Sequence, residues 1–295
     1  MKQIKEKIAR TGLAALLAFS ASTSKIKAEE PSNLIPSTQS AQLNESQIKE
    51  DFSLTPINLS AASTFKSDYV GTGGGIIGTG PVNQTYLQAD LGKNLFLGVW
   101  TNYDFGDQAL HEIDYSVGLQ SKLFSIEDGP LKGDVSASIS YQFWDYPSGL
   151  LGKPDHVLFS TLNYNGIENG VSANLSFIKR FTEGTKTDDN FFMLDVSKRF
   201  DVAKWDGNTV YISPNLRVAY NNNFYGVDGF AHITPSVSMG LSNKRYNLEF
   251  FVSQQLGLTD SVKDELYYGV RFGTNDLIGS LKDLSKIIGG KYHEN

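Results

Sequence analysis

The feature that most constrains this chain is a two-residue alternation of apolar and polar side chains that recurs along most of its length. The stretch HEIDYSVGLQSKL, residues 111–123, places Ile113, Tyr115, Val117 and Leu119 on alternate positions with mostly polar residues between them. Successive side chains of a β-strand point to opposite faces, so the stretch predicts a strand with one apolar and one polar side. Such a strand fits a soluble sandwich with an apolar core, or a membrane barrel with an apolar outer surface.

About twelve segments between residues 58 and 273 repeat this pattern, and turns rich in Gly, Asn, Asp and Pro separate them. They cover residues 58–70, 82–91, 94–105, 111–123, 134–144, 156–164, 170–177, 191–200, 209–220, 230–241, 246–253 and 265–272. The spacing of roughly 18 residues per strand and loop exceeds the 8–12 typical of sandwiches. The clearest apolar faces carry no charge. We therefore predict an all-β fold, a transmembrane up-and-down antiparallel barrel of about twelve strands, whose closure pairs every backbone group.

Aromatic residues collect near the strand ends, as in the two interfacial girdles of membrane barrels. One predicted girdle consists of Tyr69, Tyr103, Phe105, Phe143, Phe181, Tyr220, Phe230 and Tyr268, and the other of Phe200, Tyr246 and Phe272. Pro214 and Pro235 lie inside predicted strands. Because proline cannot donate a ladder hydrogen bond, we expect a local bulge at these two positions.

The two ends of the chain differ from this central region. Residues 1–28 combine Lys and Arg with the short apolar run GLAALLAF and small residues, which predicts a cleaved secretory signal peptide. Residues 29–57 are polar and proline-containing and predict a disordered lead segment. In the segment 274–295, Leu277, Leu281, Leu284 and Ile288 recur at helical spacing, which predicts a short amphipathic helix.

The net charge of the chain after removal of the signal peptide, and its lack of cysteine, exclude several kinds of binding site. Without residues 1–28 the chain keeps 26 − 6 = 20 basic and 32 − 1 = 31 acidic residues, a net charge of −11, which excludes a phosphate-tracking surface and makes nucleic acid an unsuitable partner. The chain has no cysteine, so disulfides and thiolate sites are excluded. An even strand number places both termini on the periplasmic side, and five long loops, at residues 71–81, 146–156, 182–190, 221–229 and 257–264, on the outside.

The stretch 65–107 resembles the opening hairpins of the TorF-like porins. It contains Ser67-Asp68-Tyr69 at the end of the first strand, then a glycine-rich loop, then a strand with an apolar–Gly–Val–Trp run that ends in Asn-Tyr-Asp-Phe. The resemblance implies an outer-membrane barrel of porin architecture and does not specify a substrate.

Sequence motifs for catalysis and cofactor binding are weak. Residues 73–78 match G-x-G-x-x-G, but a polar alternating strand precedes them where a dinucleotide site needs a buried one. His232 and Ser236 are about 13 Å apart on one strand, beyond hydrogen-bond reach. The acidic runs 188–190 and 206–208 lack the spacing of a calcium loop. We therefore predict no catalytic residue, no metal site and no cofactor; a hydrolase would need a Ser–His pair formed between strands.

Charged residues on the polar faces are the candidate lumen and mouth residues. The acidic ones near the outer ends of the first, third and fourth strands are Asp68, Asp104, Glu112 and Asp114. The remaining candidates are Lys66, Lys122, Arg199, Arg217, Glu249 and Arg271. If the first group forms one acidic sector, its potential favours cations; the alternative is that a wet lumen simply needs mixed polar side chains.

The sequence therefore predicts an outer-membrane, porin-like channel for passive diffusion of small hydrophilic solutes, with a preference for cations. Its expected partners are outer-membrane lipid, the permeating solutes and the barrel-assembly machinery during biogenesis. The alternatives are a closed structural or adhesion-type barrel and a barrel hydrolase.

Overall fold

The computed structural model describes residues 57–275 apart from 72–73, 79, 150–151, 168–169, 183–188 and 225, together with residue 277. The predicted signal peptide, the lead segment up to residue 56 and nearly all of the predicted C-terminal helix lie outside these residues. Within the described part of the chain, no helix has the length and apolar character needed to cross a membrane.

Within the part of the chain that the structure describes, fifteen β-strands form where the alternation predicts strands, with two short additions in the first loop. The first eight are β1 (Ile57–Lys66), β2 (Tyr69–Val70), β3 (Ile76–Gly78), β4 (Val82–Leu91), β5 (Leu95–Asp104), β6 (Ala109–Ile126), β7 (Gly133–Asp145) and β8 (Asp155–Gly166). The others are β9 (Val171–Thr182), β10 (Asp189–Lys198), β11 (Phe200–Trp205), β12 (Asn208–Phe224), β13 (Val227–Ser242), β14 (Tyr246–Gly257) and β15 (Glu265–Thr274).

The large sheet closes on itself as an antiparallel barrel of twelve strand positions. Each strand pairs with its neighbour in sequence, β1 pairs with β15, and β10 and β11 both pair with β12 as two parts of one interrupted strand. This confirms the predicted closed twelve-strand architecture. Closure pairs the long strands on both sides over most of their length; among the described strands, β11 pairs only with β12.

Most of the longer connections between strands lie at one end of the barrel. We call the end where β1 begins and β15 ends the terminal end, and the opposite end the distal end. All five loops predicted to be long connect strands at the distal end, although the fourth is shorter than expected, because β12 continues to Phe224 and β13 begins at Val227. The short β2–β3 hairpin belongs to the first distal loop.

The two strand prolines do not create the bulges that the sequence predicted. Pairing of β12 with the neighbouring strand stops after Asn215↔Ser197 and resumes at Ile212↔Phe200 in the same register, so Pro214 faces the gap between β10 and β11. The β13–β14 ladder likewise omits Pro235 without a shift. Each proline lacks the donor for a ladder bond, and the strands lose pairing locally and keep their register.

The outer surface of the barrel is apolar. Large hydrophobic side chains that alternate with inward residues are exposed on nearly every strand, among them Leu87, Leu97, Val117, Ile139, Leu162, Leu175, Val237, Phe250 and Val252. A continuous apolar band of this kind is far larger than the patches that water-soluble monomers expose, and it matches the lipid-facing surface of membrane barrels.

Aromatic side chains border this band at both ends, as predicted. At the distal end, Phe105 stacks on Phe65 with ring centroids 6.2 Å apart, and Tyr220 meets Phe230 edge-on at 5.4 Å. At the terminal end Phe200, Tyr246 and Phe272 are partly exposed. Tyr69 is the exception, because its side chain is only 6% exposed and lies inside the barrel.

Candidate permeation pathway and distal side-chain cluster

The inner wall of the barrel is a ladder of hydrogen-bonded polar side chains. Hydroxyl and amide groups on adjacent strands bond to one another, for example Ser63 to Thr85 at 3.2 Å and Ser138 to Thr161 at 2.7 Å. The amide of Gln88 donates to Asp90 at 2.6 Å. These groups arise from the polar half of the alternation, which the barrel turns inward.

An interior cavity of ≈ 430 Å³ brings acidic and basic groups into one space. Glu112 and Asp114 line it from β6, and Arg217 lines it from β12, five strand positions away around the ring. Tyr69 donates a hydrogen bond to Glu112. Asp114 Oδ1 is buried and has no hydrogen-bond partner among the described residues.

A second cavity of ≈ 240 Å³ shares Lys66 and Arg217 with the first and is otherwise lined mainly by serine, threonine and asparagine. Two of its three cations are paired: Arg217 donates to Asp195 at 2.8 Å and Arg271 donates to Glu249 at 2.9 Å. Among the described residues no carboxylate lies within ion-pair distance of Lys66, whose ammonium sits 6.0 Å from the centre of the Tyr267 ring. The two cavities together present an acidic wall on one side and a basic wall on the other.

Six of the ten predicted lumen residues therefore line the cavities, namely Lys66, Glu112, Asp114, Arg217, Glu249 and Arg271. The other four lie elsewhere. Lys122 bonds Asp134 near the terminal end, and Arg199 bonds Asp201 there and lies 4.0 Å from the centre of the Tyr211 ring. Asp68 is partly buried in the first distal loop, outside both cavities.

Asp104 closes the turn between β5 and β6 and lies outside both cavities. Its Oδ1 accepts hydrogen bonds from the backbone N–H groups of Gly106 at 2.7 Å and Asp107 at 3.1 Å. The predicted acidic sector thus contains two cavity-lining carboxylates, Glu112 and Asp114. This division depends on the turn geometry, which the alternation does not reveal.

Two described residues at the first distal loop, Tyr69 and Gly74, contact the inner wall of the barrel. The carbonyl of Gly74 accepts a hydrogen bond from Gln255 on β14 at 3.0 Å, and the Tyr69–Glu112 bond attaches the same loop to β6. Gly74 has φ +86° and no room for a side chain, since a Cβ there would lie 2.7 Å from the His232 ring. Glycine at this position allows the close approach.

Apolar side chains fill part of the distal interior between β7 and the β14–β15 loop. Phe191, Ile178 and Val157 are fully buried there, in a cluster that also includes Trp144, Tyr146, Met193, Ala219, Phe224, Val227, Ala231 and Val262. Beside it, Arg180 forms ion pairs with Asp155 at 3.4 Å and with Asp189. Sequence analysis missed these groups because they interrupt the polar inward pattern at only one or two positions per strand.

A compact group of polar side chains at the β5–β6 turn was also missed. His111 is only 4% exposed, and its Nδ1 lies 2.9 Å from the hydroxyl of Ser148 in the β7–β8 loop. Its Nε2 lies 3.4 Å from Asp107 Oδ2 and 3.9 Å from Asp104 Oδ2. The sequence D-F-G-D-Q-A-L-H, residues 104–111, contains the two aspartates and the histidine within eight positions. That spacing indicates a cluster only once the path of the β5–β6 turn is known.

No family model matches the chain, and no curated protein matches it. Solved outer-membrane barrels do resemble it. A KdgM porin solved in complex with disordered oligogalacturonate is 9% identical with a TM-score of 0.44, over 74% of this chain and 98% of that one. A NanC porin is 9% identical with a TM-score of 0.44, over 75% of this chain and 100% of that one. LpxR from Salmonella typhimurium is 6% identical with a TM-score of 0.41, over 74% of this chain and 99% of that one. These likenesses are too distant to carry a functional argument.

Proposed function

We propose that this chain is a porin-like channel of the outer membrane that lets small hydrophilic solutes diffuse through its lumen. One observation carries the proposal: a closed barrel with an apolar outer band encloses a hydrogen-bonded polar interior with charged side chains on facing walls. Solutes in such an interior exchange water contacts for contacts with wall hydroxyls, amides and charges. The proposal includes lipid as the surrounding partner and the assembly machinery as a transient one.

Orientation and family follow from the same features. The distal end faces outward and both termini face the periplasm, because most of the longer connections are distal and outer-membrane barrels have short periplasmic turns and longer outer loops. The opening hairpins support membership of the TorF-like porins. The exported location agrees with the predicted signal peptide.

Two carboxyl groups on one wall of the cavity, those of Glu112 and Asp114, support a preference for cations. Arg217 and Arg271 are neutralised in part by Asp195 and Glu249, whereas no cation lies within ion-pair distance of Glu112 or Asp114 among the described residues. A cation in the ≈ 430 Å³ cavity would therefore meet two carboxyl groups that have no basic side chain within ion-pair distance among the described residues.

Planar-bilayer recordings in a salt gradient test this proposal. We expect the refolded protein to conduct with a reversal potential of cation sign, and the double variant Glu112→Gln/Asp114→Asn to shift that potential towards zero. Asp260→Asn is the matched control, because Asp260 is an exposed carboxylate in the β14–β15 loop outside both cavities. An unchanged reversal potential in the double variant, or anion preference in the wild type, would show that Glu112 and Asp114 do not determine ion selectivity.

A closed barrel is the second candidate, because the folded-in first loop and the apolar cluster occupy distal space. Liposome swelling separates the two: a channel admits a small sugar, and a closed barrel does not.

The contact between Ser148 and His111 raises the hydrolase alternative. An active-site-directed phosphonate would label Ser148 if that pair activated a nucleophile; we propose that it does not, since neither nearby carboxylate accepts a hydrogen bond from the imidazole.

A further inference from the structure

The side chains around His111 converge because of a β-bulge. Asn102 pairs with Glu112 and Tyr103 pairs with Leu110, so His111 is an extra residue on β6. A bulge of this kind re-aims one side chain. As a result the side chains of two successive residues, His111 and Glu112, are both buried, whereas a regular strand would turn them to opposite faces. The imidazole points towards the β5–β6 turn that carries Asp104 and Asp107.

The surroundings of the imidazole are electron-rich on one side. Its Nδ1 is bonded to Ser148, while Nε2 is buried and has no hydrogen-bond partner. Two carboxylate oxygens face that nitrogen at 3.4 and 3.9 Å. With the proton on Nδ1, a lone pair on Nε2 faces two anionic oxygens, an arrangement that a cation between them stabilises.

The 3.4 Å separation between His111 Nε2 and Asp107 Oδ2 matches the ligand–ligand distance of a coordination shell better than a hydrogen bond, and the 3.9 Å separation from Asp104 Oδ2 is somewhat wider. Hydrogen bonds between imidazole and carboxylate are about 2.7–2.9 Å long. Ligand atoms around a tetrahedral ion with bonds of about 2.0–2.1 Å lie roughly 3.3–3.4 Å apart. The three ligand atoms here all lie within 4.8 Å of one another. A small closure of the turn would bring all three to bonding distance.

The remaining contacts fit the same interpretation. Asp104 Oδ1 is held by two backbone N–H groups, which leaves Oδ2 directed at the imidazole. Ser148 orients the ring through its other nitrogen, as outer contacts of metal-bound histidines do. The Asp107 side chain is 70% exposed, so an ion can enter from solvent and keep a water ligand.

We propose that Asp104, Asp107 and His111 form a divalent transition-metal site of the zinc class at the distal end of the barrel. The bound ion joins the β5–β6 turn to the bulge of β6, and Ser148 extends this connection to the β7–β8 loop. The mixed oxygen and nitrogen donors suit zinc and its first-row neighbours better than calcium or magnesium, which prefer oxygen alone. The site lies apart from the cavity walls and is independent of permeation.

Isothermal titration of Zn²⁺, with visible absorption of Co²⁺ as a report on geometry, tests the site. The protein is the full chain, untagged and refolded from inclusion bodies in detergent, so that neither a histidine tag nor lipopolysaccharide phosphate contributes. Folding of each variant is checked by heat-modifiable migration on gels. We expect one ion per chain in the wild type and a Co²⁺ spectrum typical of tetrahedral nitrogen and oxygen ligation.

Variants of the proposed ligands are compared with a variant of a histidine outside the site. His111→Ala and Asp107→Asn should abolish saturable binding, and Ser148→Ala should weaken it about 10- to 100-fold. Because Asp107 is largely exposed, its variant should fold even if His111→Ala does not. The control is His156→Ala, a histidine on the outer face of β8, which should bind as the wild type does.

Three results would overturn the proposal: no saturable uptake by folded wild-type protein, unchanged affinity in Asp107→Asn, or an equal loss in His156→Ala. Phosphonate labelling of Ser148 in protein that takes up no metal would instead assign the cluster to acyl transfer.

Discussion

Leu87 and Leu95 offer a matched test of whether the apolar outer surface faces lipid. Both are outward leucines on adjacent strands, exposed by 48% and 37% respectively. Leu87 is the sixth of ten residues of β4, and Leu95 is the first residue of β5, where it pairs with Leu91. Leu87→Arg and Leu95→Arg therefore introduce the same charge at different depths.

The difference in depth follows from strand geometry. Leu91 lies four residues beyond Leu87, and a rise of about 3.3 Å per residue at a tilt near 40° separates them by roughly 10 Å along the membrane normal. The apolar band is about 25 Å tall, so Leu87 lies near its middle and Leu95 near its edge. An arginine costs about 2–4 kcal/mol at the midplane and about 0–1 kcal/mol near the interface.

Reversible guanidinium unfolding from phospholipid vesicles, followed by tryptophan fluorescence, measures the two costs. We expect Leu87→Arg to lower the folded-to-unfolded ratio by about 1.5 to 3 powers of ten and Leu95→Arg by less than one. Equal costs at the two positions would contradict the assignment of depth. A wild-type chain that folds in water without lipid or detergent would contradict the membrane-facing surface altogether.

Three further outcomes are expected. Arg180→Ala should destabilise the barrel by about 3–5 kcal/mol in the same unfolding assay, because it removes the guanidinium that pairs with two buried carboxylates, Asp155 and Asp189; a cost under 1 kcal/mol would show that these ion pairs contribute little. Tyr69→Phe removes the donor to Glu112 and should loosen the first distal loop, raising single-channel conductance; unchanged conductance would mean that this bond does not restrict the lumen. Gly74→Val places a branched side chain at a positive φ beside His232 and should displace the loop further, seen as faster proteolysis between β1 and β4; wild-type cleavage rates would contradict the close packing.

The alternation in residues 111–123 and its repeats was enough to predict the closed barrel. In each repeat the alternation indicates which residues share a face of the strand. Because the apolar faces carry no charge, they fit a surface in contact with lipid better than the core of a soluble protein. Strand number, the ends of the barrel and most girdle aromatics followed from the same pattern. These are local properties, because the two-residue period belongs to each strand by itself.

Contacts between distant segments could not be predicted in this way. Gln255 and Gly74 are 181 residues apart in sequence, and their hydrogen bond draws the first loop inward. The buried position of Tyr69 depends on that loop, so the sequence placed it in a girdle. Pro214 was expected to bulge its strand, but the interruption fell between two neighbouring strand segments and the register was kept.

The sequence by itself determined which side chains share a face, because that needs only the strand period, and the uncharged apolar faces assigned one face to lipid and the other to the lumen. The tertiary structure decided which inward residues meet. Closure of the ring brought Asp114 and Arg217 to one cavity, and a single extra residue in β6 turned His111 towards Asp104 and Asp107. Such meetings depend on register, bulges and loop paths, which arise from pairing between strands and are not encoded in the pattern of any one of them.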